Sequence, residues 1–205
     1  MNALYGSFAN YGFVRDVVSD ELMAALRAEV NELDDTAVAI NNNLAGNIES
    51  EFKLSKNSQQ LEKYVLSLCE QYTSGWSTAN TTRDLTSHNL ELQTYWVNLQ
   101  KKHEFNPIHS HDGIYSFVIW LQVPYAINEE LEYPSASKSN MPRPGMFSFI
   151  YSNIFGELRE AEFPVDNTYE GTIFLFPSCL NHTVYPFRSS DKTRISISGN
   201  LVKKQ

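Results

Sequence analysis

Five histidines occur in the chain, and three of them fall within His103-Glu-Phe-Asn-Pro-Ile-His109-Ser-His111-Asp112. Residues two apart in an extended segment share a face, so His109 and His111 project together while Ser110 and Asp112 project away. Two imidazoles on one face can reach a single metal ion. Asp112 is the alternative ligand if Gly113, which tolerates unusual backbone angles, breaks the strand early and swings the carboxylate in. His182 opens a later run after Pro177-Ser-Cys-Leu-Asn, and twelve residues beyond it stands Arg194-Ile-Ser196. Arg194 and Ser196 share a strand face by the same period. A guanidinium fork with a hydroxyl beside it suits a carboxylate, which it can bind bidentately. Taken singly, each residue has an ordinary explanation: surface histidines, a surface ion pair, a strand filler. Taken together they describe a metal centre with an anion receptor at a fixed distance.

Such residues must be held by strands, and the pattern after residue 90 supplies them. ELQTYWVNLQ, SFVIWLQVPY, MFSFIYSNIF, LREAEFPV, GTIFLFP, HTVYPF and RISISGNLV are short, aromatic or β-branched, and separated by Gly, Pro, Asn and Ser. Seven runs of this kind predict antiparallel strands in a sandwich or barrel, the jelly roll being one solution. The first ninety residues are helical in pattern. Ser19 stands at an N-cap position with Asp20 and Glu21 in the first turn, and Leu22, Leu26, Val30 and Leu33 form one apolar stripe. A polar stretch, NNNLAGNIESEFKLSKNSQQ, leads to a second stripe of Leu61, Tyr64 or Val65, Leu68 and Tyr72, with Cys69 a small buried hydrophobe. Residues 74–89 read as loop. So does Ala126–Gly145, whose length and three prolines fit a lid, a binding loop or a disordered excursion.

At 205 residues the chain suffices for one domain with its own core: a helical part over 1–90 packed on a β core over 91–202. Its composition, 42% hydrophobic and 20% charged, is that of a folded protein rather than a disordered one. A net charge of −8 argues against a protein that grips extended nucleic acid, which needs a basic face. No apolar run is long enough to span a bilayer. The opening MNALYGSFAN lacks the features of a signal peptide, and two cysteines suit a reducing compartment, so a cytoplasmic protein is expected.

The two histidine blocks, NPIHSHDGIYSFVIWLQVPY and FPSCLNHTVYPFRSSDKTRISISGNL, resemble the Fe(II)/2-oxoglutarate-dependent dioxygenases. They are most similar to the 2-oxoglutarate/Fe(II) oxygenases of marine bacteria and phages, which are related to prolyl hydroxylases. The resemblance covers roughly residues 91–202. It implies a double-stranded β-helix, a jelly-roll or cupin-like barrel packed by helices, with Fe(II) as cofactor and 2-oxoglutarate and O2 as cosubstrates. It implies His109 as first ligand, His111 at the position the family gives to a carboxylate, His182 as distal ligand, and Arg194 with Ser196 on the far carboxylate of 2-oxoglutarate. The implied reaction is oxidative decarboxylation to succinate and CO2 coupled to hydroxylation of a prime substrate, which the sequence leaves unidentified. Asn98 and Trp120 are candidate pocket residues, although core packing explains either.

The departure is the third imidazole, since the usual site pairs two histidines with one carboxylate. A neutral ligand there leaves the iron site one charge more positive, which favours a dianionic cosubstrate. Three other readings compete. A cupin-like three-histidine metalloenzyme would not use 2-oxoglutarate and would have no need of Arg194-x-Ser196. A closed zinc site would recruit Cys179 beside His182, although those two diverge on a regular strand. The last reading is a non-catalytic barrel domain.

Overall fold

The computed structural model describes residues 11–76 and 84–204. The MNALYGSFAN segment and part of the stretch read as loop, 77–83, lie outside the described residues. Among the described residues, ten strands and three α-helices follow one another as β1 (Val14–Val17), α1 (Asp20–Asn31), β2 (Glu51–Leu54), α2 (Ser58–Gly75), β3 (Leu90–Gln100), β4 (Asn106–His109), β5 (Tyr115–Gln122), α3 (Ile127–Glu132), β6 (Phe147–Ser152), β7 (Leu158–Phe163), β8 (Thr172–Pro177), β9 (Asn181–Val184) and β10 (Arg194–Lys203). They form a six-stranded sheet ordered β1-β8-β5-β10-β3-β2 and a four-stranded sheet ordered β4-β9-β6-β7. Every strand pair is antiparallel. This is the jelly-roll, double-stranded β-helix arrangement, with helices laid on the larger sheet.

Strand alternation explains why FVIWL (117–121) and IFLF (173–176) read as unbroken apolar runs. Tyr115, Phe117, Ile119 and Leu121 of β5, with Ile173 and Leu175 of β8, pack with Leu22 and Leu26 of α1 and Leu61, Val65 and Leu68 of α2. Their alternates, Val118 and Trp120 with Phe174 and Phe176, face the smaller sheet and meet Phe147 and Phe149. A sheet covered on both faces needs apolar residues at every position. The six-stranded sheet is therefore the middle of three layers.

Ser19 caps α1 as its position predicts, accepting from Leu22 N at 3.3 Å. The helix stops at Asn31, before Leu33, and of the Tyr64/Val65 pair it is Val65 that is fully buried. One buried carboxylate ties this layer together. Glu29 accepts from Ser55 N and Lys56 N at 2.7 Å, Asn57 Nδ2 at 2.8 Å and Tyr95 OH at 3.1 Å. Glu29→Ala would strand two backbone donors and a hydroxyl, so we expect a loss of about 3 kcal/mol in urea unfolding. Metal and cosubstrate binding should be spared in the folded fraction.

The 126–145 connection is ordered in part rather than an open excursion. It contains α3, and the buried Glu130 accepts from Arg188 N and Ser189 N at 2.8 and 2.7 Å, fastening it to the β9–β10 connection. Among the described residues no helix is long and apolar enough to cross a membrane.

Candidate active site

Register brings the chemistry together. His109 on β4 lies directly opposite His182 on β9. The strand ends at His109, so His111 joins them from the turn beyond it and not, as alternation alone predicts, from the same strand. Gly113 makes that turn, with φ +103°. The backbone break that could have carried Asp112 inward does occur, yet it leaves Asp112 exposed. His111 is held instead by a hydrogen bond from its backbone N–H to Ser178 O at 2.8 Å.

The three imidazoles offer nitrogen atoms that all lie within 4.8 Å of one another. Their ring centroids are separated by 4.2 Å (His109–His182), 4.9 Å (His109–His111) and 5.1 Å (His111–His182). His109 Nδ1 sits 2.8 Å from Pro107 O, and His182 Nδ1 sits 3.0 Å from Leu180 O. A carbonyl there fixes the Nδ1–H tautomer, so Nε2 carries the lone pair. Phe176 lies 4.9 Å from the His182 ring and Phe147 stacks on it at 5.8 Å. That apolar sleeve has an electrostatic consequence. Burial holds His109 below the usual imidazole range; burial and then the neighbouring His109 bring His111 down to about 4. His182 is pushed well down by burial, then by His109 and His111. Three neutral imidazoles with converging lone pairs fit a divalent ion, whose bonds to histidine nitrogen run about 2.0–2.1 Å for zinc. Cys179 stands outside this group.

The same cavity is lined by Asn98, Trp120, Arg194 and Ser196, so the structure brings the remaining candidates beside the histidines. The register shows how: Ser196 of β10 lies between Asn98 of β3 and Trp120 of β5. Asn98 Nδ2 donates to Ser196 Oγ at 3.3 Å and Ser198 Oγ at 3.1 Å, and Trp96 Nε1 donates to Asn98 Oδ1 at 3.1 Å. Arg194 is 2% exposed and forms no ion pair among the described residues. Its fork is largely committed: Nε and Nη2 donate to Gln100 Oε1 at 3.0 and 2.6 Å, and Nη1 donates to Tyr125 OH at 2.7 Å and Gly145 O at 2.9 Å. Of five guanidinium N–H groups this leaves one, on Nη2, rather than the free bidentate fork the sequence suggests.

Sequence reading missed Gln100, Tyr125 and the Gly145 carbonyl, which hold the guanidinium. A signal existed for Gln100: in TYWVNLQ it falls two residues after the candidate pocket residue Asn98, on the same strand face. Tyr125 and Gly145 carried none: one stands just before the long connection and the other at its end, and only the fold brings them together.

With the geometry established, comparison with known proteins is decisive. Residues 94–200, just over half of the chain, match the family model described as "Putative 2OG-Fe(II) oxygenase". The chain belongs to the 2OG-Fe(II) oxygenase family. It is accordingly an oxidoreductase, with Fe(II) as cofactor and 2-oxoglutarate as cosubstrate. No curated protein sequence gives a match. Solved structures show the same fold at low identity. A Pseudomonas putida prolyl-4-hydroxylase superposes with TM-score 0.55 and 14% identity, over 95% of this chain and 94% of that one. HygX from Streptomyces hygroscopicus, with nickel, 2-oxoglutarate and hygromycin B bound, gives 0.55 and 13%, covering 95% and 84%. SnoK, a non-heme α-ketoglutarate-dependent carbocyclase from nogalamycin biosynthesis, gives 0.54 and 13%, covering 94% and 80%.

Proposed function

We propose that the protein is a hydroxylase: it couples conversion of 2-oxoglutarate and O2 into succinate and CO2 to hydroxylation of a prime substrate. His109, His111 and His182 hold the iron, and Arg194 with Ser196 receives the far carboxylate of 2-oxoglutarate. The observation that carries this reading is a buried Arg194, without an ion pair among the described residues, lining the same cavity as three desolvated imidazoles. Bound iron supplies activation of O2 for attack on an unactivated C–H bond. The chain's own groups bind, orient and exclude water. Carbonyls behind His109 and His182 fix their tautomers, and Phe147 and Phe176 keep the ion's surroundings dry. Gln100 and Tyr125 hold the guanidinium in place, so its free N–H and the Ser196 hydroxyl face an arriving carboxylate without reorganisation. The two free thiols suit the reducing cytoplasm in which we place the enzyme.

The test is succinate formation by the anaerobically iron-loaded chain when O2 is admitted with 2-oxoglutarate. Even without prime substrate, slow uncoupled turnover should yield succinate and CO2 in equal amounts. A protein that binds iron but leaves 2-oxoglutarate untouched, with no affinity for it, would instead be a three-histidine metalloenzyme of the cupin kind.

A further inference from the structure

The cavity contains a carboxyl group used neither by the metal ligands nor by the cosubstrate receptor. Glu51, on β2, is 1% exposed and lines the cavity wall. Its backbone continues the row across the large sheet, lying opposite Asn98 as Asn98 lies opposite Ser196. Among the described residues its carboxylate has a single hydrogen-bond partner, Asn41 Nδ2, at a long 3.4 Å, and no lysine or arginine pairs with it. A second acceptor points to the same place. Asn106 Oδ1, three residues before His109, is buried and has no partner among the described residues. A Cβ on Gly46 would fall 2.6 Å from Asn106 Oδ1 and 3.0 Å from Glu51 Oε1, so the two oxygens converge where a backbone without a side chain passes over them.

A buried carboxylate without a counter-ion is costly, and so is a buried carbonyl without a donor. Here burial, and secondarily the charge of Glu104, push the Glu51 carboxyl up to about 7. Evolutionarily cheaper side chains would fill the space, unless something arriving in the cavity supplies what is lacking: N–H donors and a positive charge. We propose that Glu51 and Asn106 form the subsite that holds a protonated amine of the substrate to be oxidised. This rests on the oxygenase reading of the cavity and narrows its prime substrate to a small cationic amine, placed beside the three histidines.

The experiment uses the full chain loaded with Mn(II) and 2-oxoglutarate, titrated at pH 7 with methylamine, propylamine and butylamine and with the matching alcohols. Amines should bind at least about tenfold more tightly than alcohols, as a charge-assisted contact requires. Binding should release protons, read as a dependence of calorimetric heat on buffer ionisation, and Mn(II) should broaden the amine's carbon-bound protons. Glu51→Gln, which keeps the shape and cannot ionise, should abolish both the preference and the proton release. Its Mn(II) affinity, unchanged, reports that the variant is folded. Equal binding of amines and alcohols, or a preference that survives Glu51→Gln, overturns the subsite. If wild type binds neither Mn(II) nor 2-oxoglutarate, the oxygenase reading fails, while the same titration on the metal-free chain still decides for or against Glu51. A Glu51-dependent preference without Mn(II) broadening would support the amine subsite and overturn its placement beside the metal.

Discussion

His109→Ala, His111→Ala and His182→Ala should each lose Fe(II) by more than the about 10–100-fold typical of disturbing a residue behind a ligand, whereas Asp112→Ala should keep it. The ground is geometric: the three ring nitrogens lie within 4.8 Å of one another, and Asp112 faces solvent. Elemental analysis of anaerobically reconstituted protein, followed by competition with a chelator, measures it. His111→Asp is the sharper variant, because it restores two histidines and a carboxylate and should still bind iron. Iron that survives His111→Ala but not Asp112→Ala would transfer the third position to the carboxylate, leaving the family membership untouched. His182→Ala also opens space between Phe147, Phe149 and Phe176. His182→Gln, closer in volume, is therefore the control that separates a lost ligand from a lost fold.

The sequence made the interior strands legible because burial writes itself into residue type. β5 and β8, covered on both faces, are apolar throughout Phe117–Leu121 and Ile173–Phe176, and α1 announces itself through Ser19 and its stripe. The strands that escaped notice are β1 and β2, four residues each, while β4, also four residues, was read only as the extended segment carrying His109. β1 and β2 lie at the edges of the large sheet and β4 at the edge of the small one; there backbone pairing, rather than side-chain burial, secures the strand. β2 lay hidden in a polar stretch, and with it went Glu51, whose burial depends on what the loop around Gly46 does in space. The histidines were visible because metal chemistry restricts residue type, and His109 faces His182 across a strand pair. That His111 arrives from a turn could not be read, since a period of two holds only while the strand lasts. Glu130 and Gly145 mark the same limit in the long connection: its anchors are a carboxylate on two backbone amides and a carbonyl on Arg194, contacts that depend on tertiary placement.

Arg194→Met should weaken 2-oxoglutarate binding by on the order of 30- to several-thousand-fold, the equivalent of about 2–5 kcal/mol for removing one partner of a buried charge pair. Mn(II) affinity measured without cosubstrate should stay near wild type, because Arg194 shares no hydrogen bond with the histidines. Methionine is chosen over alanine since it fills much of the side chain's volume, although Gln100 Oε1 loses its donors, Gly145 O keeps only Tyr125 OH at 3.2 Å, and some stability goes with them. Calorimetric titration with 2-oxoglutarate reads the loss directly. A second titration, with 2-oxobutyrate, isolates its cause, for that ligand keeps the keto acid end and lacks the far carboxylate. Wild type should prefer 2-oxoglutarate strongly, and Arg194→Met should compress that preference toward unity while hardly changing 2-oxobutyrate affinity. Tyr125→Phe adds a graded case: the guanidinium loses one acceptor at 2.7 Å but keeps its charge and its hold on Gln100. Its effect should be smaller than that of Arg194→Met and in the same direction. If both ligands weaken equally in Arg194→Met, the residue supports the cavity's shape rather than the carboxylate, and the receptor for the far end must be sought elsewhere on the cavity wall.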